Sequence, residues 1–167
     1  MESSVSTVSV AANVPGFVFW GFVVEHQKTI KDPEGKEKKE VIRGLDNTAR
    51  YYILDRVIRQ RRWQVSAVKT LPVKTGKETL EAIEELKKLG KERPVVIMGP
   101  KITESDEQFL CPIAVSSRLA IFLLAESDDE VAFRSRLQTV FGEVPTCVRV
   151  ARPSNVVEIL ENLHLFS

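Results

Sequence analysis

The strongest constraint on this chain is a repeated alternation of apolar and amphipathic segments between Trp63 and Phe166. Four short apolar segments are each followed by a polar stretch with helical spacing. Such alternation of strand and helix patterns is typical of a largely parallel sheet covered by helices. The sequence therefore predicts an α/β fold: a three-layer αβα sandwich with a mixed, mostly parallel sheet.

The boundaries of these units follow from apolar runs and from capping residues. Strands are predicted over residues 63–71, 94–98, 119–125 and 146–151. Thr75 with Glu78, and Ser127 with Glu130, have the spacing of capping boxes, which predicts a helix start at each pair. A short helix is predicted over residues 103–110, and a final helix follows Pro153.

The N-terminal part predicts a β-hairpin followed by a helix. Residues 16–25 are apolar on both alternating sets, which is typical of a strand covered on both faces. A turn signal at residues 32–35 precedes a return strand at residues 40–43, so we expect a long hairpin with a charged tip, at an edge of the sheet or inserted centrally. Asp46 or Asn47 can then cap a helix that runs to Arg61. The predicted order is ββαβαβαβαβα.

Length and composition favour one domain. A chain of 167 residues is typical of a single domain with a sizeable core. Residues 1–14 predict a flexible arm or edge strand, and residues 15–167 a single α/β domain. No run approaches the ~18 apolar residues of a membrane span, so no membrane association is predicted. Cys111 and Cys147 are interpreted as small core residues in a reducing compartment, and we expect a cytoplasmic protein.

Local charge clustering is the main electrostatic feature. The net charge of +1 gives no general attraction to polyanions, yet residues 50–77 carry eight cations and one carboxylate. Cations beside aromatic rings suit nucleic acid, and the alternative interpretation is a solvated helix face whose Arg stems cover apolar surface, with Trp63 in the core. Arg50 falls within the apolar sector of the helical wheel. The candidate surface for a nucleic acid or a partner comprises Arg50, Arg56, Arg59, Arg61, Arg62 and Trp63.

A second candidate site is the carboxyl edge of the sheet, where open parallel sheets bind ligands. Donors and cations are predicted there, and together they would suit a phosphate or carboxylate. The alternative is that the hydroxyls are plain helix caps and the lysines are solvated. The candidate residues for an anionic ligand are Lys74, Thr75, Lys77, Lys101, Arg152 and Ser154.

The sequence contains no motif that is typical of a catalytic site. Residues 71–78 lack the first glycine and the hydroxyl of a phosphate-binding loop, because Leu71 and Glu78 occupy those positions. Neither His26 nor His164 is predicted to belong to a general acid–base pair. No catalytic residue, metal or cofactor is predicted, and the chain is not expected to be an enzyme.

Three functions remain open from the sequence. The first is a non-catalytic binding or assembly module that acts through a protein partner or as a homo-oligomer. The second is a nucleic-acid-binding protein that uses the arginine-rich first helix. The third is an enzyme or sensor for a nucleotide or phosphate at the strand ends.

Overall fold

The computed structural model describes residues 14–166, and the predicted N-terminal arm or edge strand lies almost entirely outside the described residues. The described chain contains a five-stranded sheet and a separate two-stranded sheet. The strands are β1 Gly16–Trp20, β2 Val23–Lys31, β3 Glu37–Leu45, β4 Lys69–Val73, β5 Val95–Met98, β6 Leu119–Leu123 and β7 Val148–Ala151.

The helices alternate with the strands from β3 onward. A π-helical segment, Thr48–Leu54, runs directly into helix α1, and short 3-10 turns lie at Val65–Ala67 and Leu163–Phe166. The α-helices are α1 Asp55–Arg61, α2 Gly76–Lys88, α3 Glu104–Glu107, α4 Leu110–Ser116, α5 Glu130–Phe141 and α6 Val156–Glu161.

The large sheet has the order β4-β1-β5-β6-β7, and every pairing in it is parallel. One face is covered by the π-helical segment, α1 and α6, and the other by α2, α4 and α5. Each face has its own apolar core, as a three-layer sandwich requires. The predicted α/β sandwich with an N-terminal hairpin is therefore confirmed.

Strand β1 is an interior strand of the sheet, paired with the edge strand β4 on one side and with the central strand β5 on the other. Phe17 and Phe19 point into one core, and Val18 and Trp20 into the other. The double-sided apolar pattern is thus explained by helices on both faces. The strand nevertheless ends at Trp20, earlier than the sequence suggests, because Gly21 adopts a positive φ of 95° and redirects the chain.

Strands β2 and β3 form the second sheet, an antiparallel ladder from the pair Val23–Leu45 to the pair Lys31–Glu37. We call these two strands and their turn the hairpin. From Glu25 to Arg43 every residue is exposed except Ile30 and Asp32, which are half-buried. The hairpin therefore projects from the carboxyl end of β1 and extends neither edge of the parallel sheet.

Several local boundaries differ from the sequence prediction. The strand expected from Trp63 begins only at Lys69, because Arg62 has a φ of 55° and turns Trp63 into the core. The cap of α5 is Asp129, whose Oδ1 accepts from the Ala132 N–H at 3.1 Å, so Ser127 is not the cap. Helix α4 was missed in the sequence, since Pro112 reads as a breaker although it lies in the first helical turn. Cys111, on the same helix, is exposed and does not belong to the core.

Candidate binding surfaces

The connections that follow β1 and β5 run over opposite faces of the sheet. The topological switch point, where neighbouring connections diverge in this way, therefore lies between these two strands. Ligands of doubly wound sheets bind beyond the strand ends at such a point. Here the ends are closed by main chain: the Gly99 N–H donates to the Trp20 carbonyl at 2.8 Å, and a Cβ on Gly21 would lie 3.5 Å from the Gly99 nitrogen. The hairpin leaves the domain at this position.

An ion-pair network fixes the root of the hairpin. Arg43 of β3 bonds Glu78 of α2 at two points, 2.7 and 3.4 Å, and its Nε lies 3.8 Å from Glu25 of β2. Glu25 also pairs with the ammonium of Lys74. The hydrogen bond and charge of Lys74 lower the pKa of Glu25, and those of Arg43 lower the pKa of Glu78. Both carboxylates are therefore ionised at neutral pH and hold the hairpin against α2.

The start of helix α2 is occupied by groups of the protein itself. Thr75 caps the helix as predicted, its hydroxyl accepting from the Glu78 N–H at 3.1 Å. Asp106 Oδ1 accepts from the Gly76 N–H at 3.1 Å, and Thr103 donates to its other oxygen at 2.8 Å. A carboxylate thus already sits where the sequence suggests an external anion.

The six residues predicted for an anionic ligand do not converge. Lys74 is neutralised by Glu25, while Lys77 and Lys101 are exposed on separate segments. Arg152 donates to the carbonyls of Ala125 and Asp128 at 2.5 and 3.3 Å and so holds the loop between β6 and α5. Ser154 is exposed in the turn before α6. The anion site at the strand ends stays a prediction.

The arginines of the first helix lie mostly at the surface, as the nucleic-acid hypothesis requires. Arg56, Arg59 and Arg62 are exposed and have no carboxylate within ion-pair distance among residues 14–166. Trp63 lies in the core at 6.0 Å from Phe17, centroid to centroid, so its ring is no stacking surface. Arg61 lies above Trp63 at 5.6 Å.

Arg50 does not fall in the apolar sector. It is exposed, and its guanidinium lies 5.4 Å from the centroid of the Tyr51 ring. The π-helical segment explains the error, because bonds from residue i to i+5, such as that of the Asp55 N–H to the Arg50 carbonyl, rotate side chains away from a 3.6-residue wheel. Tyr51 and Tyr52 are exposed on the same segment, at 51% and 62%.

Two features of these surfaces were missed in the sequence. The network at the hairpin root joins residues up to 53 positions apart, from Glu25 to Glu78, and only Glu78 carried a local signal, as the third helical residue of a capping box. A groove of about 360 Å³ along β7, lined by Val148, Val150 and Ile159, contains none of the predicted site residues.

These features define a doubly wound α/β domain with a projecting hairpin. No family model, curated protein or solved structure matches the chain. No group of three or more potential metal ligands occurs in the part of the chain that the structure describes. Within that same part, no helix is both long and apolar enough to cross a membrane.

Proposed function

We propose that this protein is a non-catalytic binding and assembly module that engages a protein partner through the hairpin. The observation that carries the proposal is the exposure of the hairpin on both faces and along both edges. An isolated two-stranded hairpin is at best marginally stable in water, so it adds little to the stability of the domain. Such a long surface element is better explained by a binding role.

The chemistry of the hairpin suits pairing with another chain. Each of its two strands has an outer edge with unpaired main-chain groups, to which a partner strand can bind. Val41 and Ile42 are exposed at 57% and 42% and supply apolar contact on opposite faces. Lys28 opposite Glu40 and Lys31 opposite Glu37 balance the charge within the hairpin. Specificity would then come from shape and apolar contact more than from net charge.

The partner is a different protein or a second copy of this chain. A cytoplasmic location forms part of the proposal, supported by two cysteines that form no disulfide. The occupied switch point supports a binding role over a small-ligand enzyme, because the hairpin root and Asp106 fill the positions where a ligand would bind.

Site-specific photo-crosslinking tests the proposal. A photoreactive amino acid at Val41 is compared in cell extract with the same residue at Val131, which is 77% exposed on α5. We expect discrete crosslinked species from position 41 alone, and competition by excess unlabelled protein but not by protein that lacks the hairpin. Identical products from both positions, or none, would overturn the proposal. Sedimentation over a concentration series separates self-assembly from binding to another protein.

Nucleic-acid binding is the second candidate, and the uncompensated arginines of α1 favour it. Arg56 and Arg59 are three residues apart on α1 and both exposed, and Tyr52 is exposed on the π-helical segment that precedes them. Guanidinium groups would contact phosphates, and the tyrosine ring would stack on a base.

A salt series with single- and double-stranded oligonucleotides tests this candidate. Arg56/Arg59/Arg62→Glu should abolish binding whose logarithm falls with the logarithm of salt at a slope of about −2 to −3. The matched control, Lys28/Lys36/Lys38→Glu, changes net charge equally on the hairpin. Equal loss in both variants, or no binding by the wild type at low salt, would exclude the α1 surface.

A further inference from the structure

Three arginines lie together at the amino edge of the parallel sheet, opposite the predicted ligand edge. Arg93 precedes β5, Arg118 precedes β6, and Arg61 ends α1. We call these three residues the arginine corner. The sequence predicts Arg61 at the helix surface and no role for Arg93 or Arg118.

Hydrogen bonds show that the three side chains share one corner of the molecule. Arg93 donates to the carbonyl of Ser117, the residue before Arg118, at 3.1 Å. Arg118 in turn donates to the carbonyl of Leu163 at 3.2 Å. Arg61 donates to the carbonyl of Glu161, two residues before Leu163, at 3.0 Å. Three positive charges are thereby held around the ends of α4 and α6.

In the part of the chain that the structure describes, the charge of the arginine corner is not compensated. No carboxylate among residues 14–166 lies within ion-pair distance of any of the three guanidinium groups. Burial, followed by the charges of Arg61 and Arg93, lowers the pKa of Arg118. The fold therefore tolerates a repulsion that a bound anion would relieve.

The Nε atom of Arg118 is a further unsatisfied group in the arginine corner. It is buried and has no hydrogen-bond acceptor, the one such side-chain atom in the part of the chain that the structure describes. A buried N–H without an acceptor is unfavourable, so Arg118 adds an unsatisfied donor to the unbalanced charge of the corner. Capping of helix carbonyls accounts for one bond from each arginine, but it leaves this atom and most of the other guanidinium donors unused.

We infer that the arginine corner binds an oxyanion of the phosphate class, with Arg118 as the central ligand and Arg61 and Arg93 beside it. Planar guanidinium groups match phosphate oxygens at two points, which an isolated ammonium cannot do. The anion would accept from the guanidinium N–H groups that the carbonyl contacts leave unused, and it would neutralise the cluster. This surface is distant in the fold from the hairpin, at the other edge of the sheet, so the inference stands apart from the proposed protein-partner function.

Calorimetry and thermal unfolding with inorganic phosphate and pyrophosphate, at ionic strength held constant with sodium chloride, test the inference. We expect saturable binding and a rise in Tm for the wild type. Arg93→Gln, which alters an exposed side chain, should weaken binding at least tenfold, as should Arg118→Met. Arg134→Gln is the matched control, because Arg134 is an exposed arginine of α5 outside both the corner and the α1 surface; it should bind as the wild type does.

The outcomes are distinguishable even if Arg118→Met fails to fold, because Arg93→Gln carries the same comparison. No saturable binding by the wild type, or an equal Tm shift in every variant, would overturn the inference. A short oligonucleotide that displaces pyrophosphate from the wild type but not from the Arg93→Gln variant would show that the natural ligand of the corner is a phosphate group of a polymer. Failure of the oligonucleotide to displace pyrophosphate would identify a small phosphorylated ligand.

Discussion

Removal of the hairpin should leave the α/β domain folded. Val23 and Leu45 are paired across the antiparallel ladder, so an Asn-Gly turn can replace residues 24–44 between them without moving either end. The change removes the ion pairs of Glu25 with Lys74 and of Arg43 with Glu78, which are solvent-exposed and contribute little to stability. It also shortens a connection by roughly three doublings, which favours folding by about 2 kcal/mol. The two effects have opposite signs, so the net change in the free energy of unfolding is small.

Calorimetric unfolding measures the outcome directly. The stability of the variant should lie within about 2 kcal/mol of the wild type, which is a Tm shift of no more than roughly 4–8 °C for a domain of this size. Far-UV circular dichroism should lose strand signal only. A Tm drop well beyond that range, or a non-cooperative transition, would refute the argument that the hairpin is a surface element. Its exposure would then no longer support a binding role.

Three further predictions concern the ion pairs at the hairpin root, the apolar core and the close contact between Gly76 and Phe109. The folded-state pKa values of Glu25 and Glu78 are lowered, so the stability that these carboxylates contribute is present above the unfolded pKa of 4.5 and is lost as the pH falls through the folded values. The difference in urea stability between the wild type and Glu78→Gln should therefore shrink on acidification. A difference that stays constant with pH would contradict the assigned pairs. Phe122→Ala should cost about 3–5 kcal/mol in chemical denaturation, since Phe122 is fully buried, whereas Val131→Ala at an exposed site should change stability by less than about 0.5 kcal/mol. Gly76→Ala should lower the free energy of unfolding by about 1–3 kcal/mol, because the new Cβ would lie 2.9 Å from a ring carbon of Phe109. Gly44→Ala is the control, since its Cβ would meet only one atom, at 4.0 Å. Equal losses of stability in the two variants would contradict the close contact at Gly76.

The surface arginines show how far sequence patterns extend toward a site. Arg56, Arg59 and Arg62 were placed correctly at the surface, because helical spacing alone separates them from the buried Ile53 and Val57. Arg50 was placed wrongly, because no local pattern announces a π-helical segment. The arginine corner had no sequence signal, since Arg93 and Arg118 belong to different loops that only the parallel sheet brings together.

The sequence by itself determined the layers of this protein. Apolar runs, capping residues such as Thr75 and the spacing of helix faces are local, so they predict the α/β sandwich without knowledge of distant contacts. Only the tertiary structure decided that Gly16–Trp20 forms an interior strand between β4 and β5, and that the following residues leave the sheet as a separate hairpin. A strand covered on both faces has the same apolar pattern wherever it pairs, because strand order depends on partners far apart in the sequence. The ion pairs at the hairpin root and the clustering of Arg61, Arg93 and Arg118 have the same origin, since both join residues that come close only after the sheet has formed.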